Sequence, residues 1–448
     1  MMKLTLVRPG LGEMGNAPYV EEGYMEPLQL GLLAAMCPPD VDVTLAEDRH
    51  EDIPYDQPTD LAAITVETFT ARRSYEISAE YRQRGVRVVL GGVHPTMIPE
   101  EAAANADAVV LGDAEGVWAE VLDDARRGRL RRRYEPRKTE VQAGVFPRRE
   151  LFRGKGYLPI TLTQFGRGCP HGCVFCTISA YFKQTHAHRP VADVVREIEQ
   201  QERRLVFFVD DNIAANPEAA KALFRALIPL RIRWVSQGSI DMTHDGELMD
   251  LMSESGCIGN VIGFESLDAA ALRWAKKTPN LGTADEYGKE VEVLKRYGFQ
   301  TWASFTLGYD TDTPQGLYRL LDFALAHKFT FAAFNVFAPY PGTPLYETYR
   351  AEGRLLYDGR WWLHPEYRVF HAPFRPANMS AGELTAIGAD IRAKWNSAGS
   401  IVRRFLDPRT NMRSLYRMAI YWMYNPLFRR QAFWKQGMPL GDAPRSRR

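Results

Sequence analysis

The strongest constraint on the fold is an alternation of short apolar segments with helix-like segments, which occurs twice along the chain. In the first 125 of the 448 residues, the pattern predicts five strands and three helices: strands at 4–7, 41–45, 61–66, 86–90 and 108–111, and helices at 28–36, 71–84 and 115–126. Alternating strands and helices form parallel sheets that are covered by helices on both faces. The sequence therefore predicts an α/β, doubly wound, Rossmann-like domain with its ligand site at the carboxyl ends of the strands.

The alternation resumes at residue 159 and predicts a second parallel structure. Strands are expected at 160–165, 205–209, 233–237, 258–264, 301–307 and 331–337, with helices at 191–203, 217–228, 245–255, 283–297 and 314–327. Six such units are fewer than the eight of a closed barrel, so we expect a partial (β/α)6 TIM-like barrel. The predicted division is a doubly wound domain (1–133), a linker (134–158), the barrel (159–345) and a mostly helical C-terminal cap (346–448).

Composition excludes several classes of protein. A net charge of +1 and 45% hydrophobic residues are typical of a globular chain and not of a disordered, collagenous or polytopic membrane protein. No apolar run approaches the ~20 residues of a membrane span, and the apolar stretch at the N-terminus is too short for a signal peptide. The five cysteines are an odd number without a secretory signal, so we expect a reducing cytoplasm rather than a disulfide framework.

Charge is unevenly distributed along the chain. Residues 401–448 contain eleven basic and two acidic residues, a net +9, which leaves −8 on residues 1–400. The basic end also carries Trp422, Phe433 and Trp434. It is compatible with a helical cap on the barrel, with a peripheral membrane contact, or with recognition of an acidic substrate or a protein partner such as a reductase. No nucleic-acid partner is expected, because nothing else in the sequence indicates a binding groove.

Three of the five cysteines lie within eight residues, directly after the first predicted barrel strand. Cys169, Cys173 and Cys176 have the spacing C-x3-C-x2-C. Thiolates are soft ligands that bind zinc or iron–sulfur clusters. A structural zinc normally has four ligands, so a zinc loop would need a nearby histidine. A cluster held by three cysteines leaves one iron open to another ligand, and the position at a barrel strand's carboxyl end favours this catalytic arrangement.

With Phe175 before the last cysteine, this segment resembles the signature of the radical S-adenosylmethionine (SAM) superfamily. The resemblance implies that the three cysteines bind a 4Fe–4S cluster and that Phe175 lies in the SAM site. It also implies reductive cleavage of SAM to a 5′-deoxyadenosyl radical, which abstracts a hydrogen atom from a small-molecule substrate. Such a reaction needs an electron donor: a flavodoxin, a ferredoxin or a dedicated reductase.

Later segments follow the order of the family's barrel strands. The resemblance implies that Asp210 and Asp211 lie near the methionyl group of SAM, Ser239 and Asp241 near the ribose, and Glu265 beside the adenine. From the residues alone, an aspartate at a strand end is also typical of a helix N-cap, and Glu265 of a structural ion pair. The family's Pro-Gly-Glu-Thr-like turn is replaced by residues 309–313, and no catalytic residue that touches the substrate is identified.

The N-terminal domain resembles the cobalamin-binding domains of one class within the superfamily. The resemblance rests on residues 64–68, 89–96 and 106–115, where Gly91 and Gly92 allow the backbone to approach a bulky flat ligand. Cobalamin mutases and methyltransferases use an Asp-x-His-x-x-Gly loop whose histidine binds cobalt. The only Asp-x-His here, Asp48-Arg49-His50, is followed by Ile53 instead of glycine, so any corrin is expected without a histidine ligand.

The reaction that this class implies most often is methylation by methylcobalamin. The expected function is methyl transfer to an unactivated carbon of a secondary metabolite, lipid or cofactor precursor. The alternative is a radical dehydratase, cyclase or oxidoreductase, acting for example on a sugar or a natural-product intermediate, in which the cobalamin domain is vestigial and only structural. A zinc- or cluster-stabilised binding module is the alternative outside enzymes.

Overall fold

The first part of the chain forms a twisted parallel sheet with helices on both faces. The computed structural model describes residues 1–12, 24–136, 141, 143–281 and 286–441. The N-terminal elements are β1 (Met2–Arg8), α1 (Leu28–Ala35), β2 (Val41–Glu47), β3 (Leu61–Thr65), α2 (Ala71–Gln83), β4 (Arg87–Gly91), α3 (Val93–Met97), α4 (Pro99–Ala104), β5 (Ala108–Val110), α5 (Trp118–Arg126) and β6 (Arg133–Tyr134). These strands pair in the order β2-β1-β3-β4-β5-β6, all parallel, which confirms the predicted doubly wound fold.

Each face of this N-terminal sheet has its own apolar core. Ile77 and Tyr81 of α2 pack on one face, whereas Leu30 of α1 and Trp118 of α5 pack on the other. The strands contribute to both cores because successive side chains point to opposite faces.

The segment predicted as a linker begins inside this sheet. Tyr134, the second residue of β6, lies opposite Val110 and is buried. Further along, Phe152 is buried against α1, where an added side chain at Gly31 would meet its ring. A two-residue strand gives no alternation signal, so the sequence pattern could not reveal it.

The second part of the chain forms the partial barrel that the sequence predicts. Its elements are β7 (Thr161–Thr163), β8 (Gly166–Gly168), α6 (Thr177–Tyr181), β9 (His186–His188), α7 (Val191–Glu199), β10 (Leu205–Phe208), α8 (Pro217–Leu227), β11 (Arg233–Gly238), α9 (Gly246–Glu254), β12 (Cys257–Glu265), α10 (Ala269–Trp274), α11 (Tyr287–Tyr297), β13 (Trp302–Leu307), α12 (Pro314–Ala326) and β14 (Phe331–Val336). Six strands pair in parallel in the order β14-β13-β12-β11-β10-β7, and within the described residues no pairing joins β14 to β7. The short strands β8 and β9 form a separate antiparallel hairpin that was not predicted. The start of the helix expected at 283–297 lies partly outside the described residues.

The C-terminal part is mostly helical, as expected, and covers two sides of the barrel. Its helices are α13 (Pro344–Ala351), α14 (Ala381–Trp395), α15 (Ala398–Phe405) and α16 (Leu415–Lys435). Arg392 of α14 donates a hydrogen bond of 2.7 Å to the carbonyl oxygen of Phe334, so α14 covers the edge strand β14. On α16, Arg417 donates to the carbonyl oxygen of Ile258 at 3.0 Å. Since Ile258 is the second residue of β12, α16 lies across the amino ends of the barrel strands.

Among the described residues, none of the helices has the length and apolar content that a bilayer crossing requires.

Candidate active site

The three clustered cysteines lie in the loop that joins β8 to α6. The loop is held from both sides: Val174 donates to the carbonyl oxygen of Ala275 at 3.0 Å, and the amide of Leu345 donates to the carbonyl oxygen of Val174 at 3.0 Å. All three thiols are free, with Cys173 buried and Cys169 and Cys176 half-buried. The loop is therefore fixed by the segments that follow β12 and β14, at the carboxyl end of the barrel.

The chemistry of this loop fits an iron–sulfur cluster. Burial raises the pKa of the Cys173 thiol to about 12, a rise that the positive charge of Lys277 opposes. A bound cation removes such protons outright, because metal coordination stabilises the thiolate. Within the described part of the chain, no three histidine, cysteine or acidic side chains converge as ligands of a single ion. A cluster does not need that convergence, since each cysteine binds a different iron.

Asp210 and Asp211 brace the backbone that leads into the cysteine loop. The carboxylate of Asp210 accepts hydrogen bonds from the amides of Phe165 at 2.9 Å and Gly166 at 2.5 Å. Asp211 accepts from the amide of Gly168 at 2.7 Å. Burial, only partly offset by these amides, raises the pKa of Asp210 to about 7. Neither aspartate caps α8, whose N-cap is Asn216.

Ser239 and Asp241 follow β11, where Ser239 precedes a short helical turn, Ile240–His244, that contains Asp241. Ser239 is buried, and its hydroxyl accepts a hydrogen bond of 2.8 Å from the side-chain amide of Asn212. Asp241 is exposed and lies near the cysteine loop. Burial lowers the pKa of His171, inside that loop, and the negative charge of Asp241 opposes this effect. Both residues were predicted beside the ribose. Ser239 lies next to the segment that follows β10, and Asp241 lies next to the cysteine loop.

Glu265 forms a buried ion pair with a residue that sequence reasoning missed. At the end of β12 its backbone adopts the left-handed region (φ 64°), which is unusual for a residue other than glycine. Its carboxylate accepts hydrogen bonds from Lys277 Nζ at 3.1 Å and from the Thr306 hydroxyl at 2.7 Å. Burial disfavours the charge on Lys277, but Glu265 and then Cys173 outweigh it and raise the pKa of this lysine.

Phe175 lies on the apolar side of the same site. Its ring packs against Phe337, which follows β14, with 5.6 Å between ring centroids. This contact holds the C-terminal part of the cysteine loop against the segment that follows β14.

A cavity of about 350 Å³ lies between the carboxyl ends of the two sheets. Its N-terminal wall is formed by α1 and the ends of β3, β4 and β5, including Gly91 and Gly92, and its other wall includes Arg167 and Asp211. Gly92 has φ +109°, and a side chain there would lie 2.9 Å from the carbonyl oxygen of Val66. At Gly91 an added Cβ would meet no atom closer than 3.8 Å. The predicted glycine pair therefore forms part of a wall that faces the barrel.

Comparison with known proteins agrees with this arrangement. Residues 163–324 match the Radical SAM superfamily. This segment is a radical SAM domain. Such a domain implies an enzyme activity that uses a 4Fe–4S cluster and SAM as cofactors.

Similarity to curated proteins extends well beyond the radical SAM domain. The chain is 29% identical over 419 residues to bacteriochlorophyllide d C-12(1)-methyltransferase of Chlorobaculum tepidum, a match that covers 90% of this chain and 89% of that protein. It is also 28% identical to bacteriochlorophyllide d C-8(2)-methyltransferase of the same organism, over 74% of this chain and 77% of that protein.

Two solved structures share the fold. Radical SAM methyltransferase TsrM from Kitasatospora setae, with cobalamin and a [4Fe-4S] cluster bound, has a TM-score of 0.65 at 17% identity and covers 97% of this chain and 99% of that one. The cobalamin-dependent SAM radical enzyme OxsB, with aqua-cobalamin bound, has a TM-score of 0.67 at 12% identity, covering 97% of this chain and 72% of that one.

The radical SAM domain is attached to the N-terminal sheet by charged contacts beside the cavity. Arg167 of β8 donates to Glu115 at 2.7 Å and to Asp113 at 3.1 Å. The hydroxyl of Tyr181, in α6, donates to Asp113 at 3.0 Å. The strand before the cysteines, β8, and the helix after them, α6, thus both bind the loop that follows β5.

The two histidines of the N-terminal part do not line the cavity. His94 is buried, with one ring nitrogen 3.1 Å from Glu101 and the other 3.3 Å from the Thr68 hydroxyl. His50 lies against the rings of Tyr24 and Tyr157. Among the described residues, no histidine lines this cavity.

Proposed function

We propose that this chain is a cobalamin-dependent radical SAM methyltransferase that acts on an unactivated carbon of a secondary metabolite, lipid or cofactor precursor. The observation that carries the proposal is the cavity between the two sheets, whose barrel side includes Arg167, just before the cysteine loop, and Asp211, which accepts a hydrogen bond from the amide of Gly168. A ligand of the N-terminal domain in this cavity would be adjacent to the radical SAM site. Similarity to two methyltransferases across most of the chain supports methyl transfer.

In this proposal the cluster and SAM are held by residues at the carboxyl end of the barrel. Cys169, Cys173 and Cys176 hold the cluster, and Phe175 bounds the site. Lys277 provides a buried ammonium group for the carboxylate of SAM, since its charge is already stabilised by Glu265 and is felt by Cys173. When bound, these cofactors supply a 5′-deoxyadenosyl radical and a transferable methyl group.

The N-terminal cavity is the proposed corrin site. Its wall from α1 and the sheet is mainly apolar, with Leu28, Leu32, Met36 and Val110 among the lining residues. Gly91 and Gly92 leave the backbone accessible to a flat ligand. Because His50 and His94 lie outside the lining, the chain would hold the corrin by shape and apolar contact rather than through a histidine–cobalt bond.

A test of the reaction uses the whole chain, reconstituted anaerobically with iron, sulfide and methylcobalamin. It is supplied with SAM carrying a deuterated methyl group, with flavodoxin and its reductase as the proposed class of electron donor, and with metabolite extract. We expect 5′-deoxyadenosine and S-adenosylhomocysteine in equal amounts, together with a deuteromethylated product. 5′-Deoxyadenosine alone would refute methyl transfer and favour the non-methylating alternative. Cys173→Ala should abolish both products.

A separate measurement tests the corrin site. Gly91→Leu would fill the cavity without a backbone clash, whereas Gly246→Leu adds the same side chain where nothing lies within 4 Å. We expect Gly91→Leu to lose the corrin absorption band while keeping about four irons, and Gly246→Leu to keep both. Stoichiometric corrin in Gly91→Leu would exclude this cavity as the site.

A further inference from the structure

The outer face of α16 is apolar and basic. Its exposed residues recur every three or four positions, so they lie on one side of the helix: Leu415, Ala419, Trp422, Met423, Pro426, Arg429, Arg430 and Phe433. Leu415 is 83% exposed and Met423 is 62% exposed. The opposite side carries the buried residues Tyr421 and Asn425.

The surface continues onto α15 and the loop between the helices. Val402, Leu406 and Met412 are exposed, and the ring of Phe405 lies 5.0 Å from that of Trp422, which joins the two helices. Seven of the eleven exposed large hydrophobic residues that the structure describes lie between 402 and 433. Concentration of exposed apolar residues in one region is typical of an interaction surface. We call this surface, formed by residues 402–433, the α15–α16 surface.

Charge identifies what this surface would bind. Asp407 is the only acidic residue between 396 and 441, and it is buried in an ion pair with Lys295 at 2.9 Å. Arg403, Arg429 and Arg430 are exposed. A symmetric contact between two copies of the surface would bring arginines together with no exposed acidic residue of the surface to offset them. Anionic lipid headgroups would supply the missing negative charge, and the apolar side chains suit the adjoining acyl region.

We propose that the α15–α16 surface docks on anionic lipid bilayers. The inner side of α16 contacts the amino ends of the barrel strands: Arg233, which begins β11, lies 3.9 Å from the Tyr416 ring, and the rings of Trp302 and Phe428 are 4.6 Å apart. The docking face therefore points away from the barrel, at the end opposite the cysteine loop. Binding there would leave the candidate active site accessible, and the proposal does not depend on the reaction that the enzyme performs.

The test is flotation of the full-length, cluster-loaded protein with vesicles. One set contains phosphatidylcholine only, and the other contains phosphatidylcholine with phosphatidylglycerol. We expect binding to the anionic vesicles that weakens as salt is added, and little binding to the neutral ones. Arg429→Gln/Arg430→Gln should lower the partition coefficient roughly 25-fold, about fivefold for each arginine. Leu415→Asp/Met423→Asp should lower it at least as much.

Matched controls carry the same substitutions elsewhere. Ile228→Asp and Arg196→Gln change exposed side chains outside the α15–α16 surface and should bind as the unmodified protein does. Circular dichroism checks that each variant is folded; if the aspartate variant is not, the arginine variant decides. Equal binding to both vesicle types, or unchanged binding of the arginine variant, would overturn the proposal. So would self-association through this surface without vesicle binding, measured by light scattering.

Discussion

Glu101 joins the N-terminal sheet to the C-terminal segment, and its charge should decide whether that segment stays attached. Its carboxylate accepts hydrogen bonds from Tyr75 at 3.0 Å and His94 at 3.1 Å, both in the N-terminal part. From the C-terminal part it accepts bonds from Trp362 at 3.0 Å and Arg360 at 2.8 Å. The Glu101 side chain is only 7% exposed, so solvent cannot replace these partners. Glu101→Gln keeps the shape and removes the charge.

The pKa of Glu101 sets the expected magnitude. Burial alone would raise this pKa, but the bonds from His94, Trp362 and Arg360 outweigh it and lower the pKa from 4.5 to about 2. At about 1.4 kcal/mol per pKa unit, the lowering corresponds to about 3 kcal/mol of stability. Because the folded-state pKa is depressed, this contribution is complete above pH 4.5 and is lost as the pH falls towards 2.

Hydrogen exchange tests whether the charge of Glu101 keeps the C-terminal segment attached. It is measured by mass spectrometry on peptides that cover residues 357–370. At pH 7, Glu101→Gln should speed their exchange on the order of 100-fold, the equivalent of about 3 kcal/mol. At pH 3, the free-energy difference between Glu101→Gln and the unmodified protein should be less than half of its value at pH 7. The control is Glu100→Gln: Glu100 is 74% exposed and paired with Arg133 at the surface, so its removal should cost less than about 1 kcal/mol. Equal effects of the two substitutions, or a Glu101→Gln effect independent of pH, would refute the reasoning.

Two further substitutions test the glycine wall of the cavity and the buried ion pair of Glu265 with Lys277. Gly92→Ala should destabilise the N-terminal part by about 1–3 kcal/mol, because φ +109° is unfavourable for alanine and its Cβ would lie 2.9 Å from the Val66 carbonyl oxygen. Gly91→Ala should be within about 0.5 kcal/mol of the unmodified protein in the same urea titration, and an equal loss would contradict this account. Lys277→Met should cost about 3–5 kcal/mol by leaving the Glu265 carboxylate buried and unpaired, and Lys277→Met/Glu265→Gln should recover part of that loss. If the double variant is no more stable than Lys277→Met, the ion pair is not the cause.

The sequence predicted both sheets because each long strand is a run of apolar residues between polar helices, a signal that does not depend on tertiary contacts. It failed where a strand is too short to alternate, as in β6 and the β8–β9 hairpin. Local pattern is also a poor guide at Pro426, because proline disfavours a helix interior. In the structure α16 continues to Lys435, held by the contact of Phe428 with Trp302. Such packing between distant residues cannot be derived from local pattern.

In the candidate site, too, local pattern predicted some features and missed those that depend on contacts between distant residues. Cysteine spacing placed the cluster loop, because three thiols within eight residues restrict the chemistry on their own. The partnership of Glu265 with Lys277 could not be seen, since it depends on a left-handed backbone at Glu265 that a strand pattern does not predict. Asp210 was expected at the methionyl group of SAM. In the structure its two carboxylate oxygens accept backbone amides, and its placement near SAM stays a prediction.

The cavity between the sheets depends on contacts that join the N-terminal part to the barrel. Part of this joint is apolar, because Leu28 and Leu32 of α1 pack in one small cluster with Ile160 and Leu162 of the barrel. Polar contacts join the two parts as well: Arg167 with Asp113 and Glu115 beside the cavity, and Glu101 with Arg360 and Trp362 further away. A substitution in a core should therefore change the free energy of unfolding, whereas one in these polar contacts should change the width of the cavity. If the cavity holds the second cofactor, a substitution of Arg167 should change the affinity for that cofactor more than it changes the free energy of unfolding.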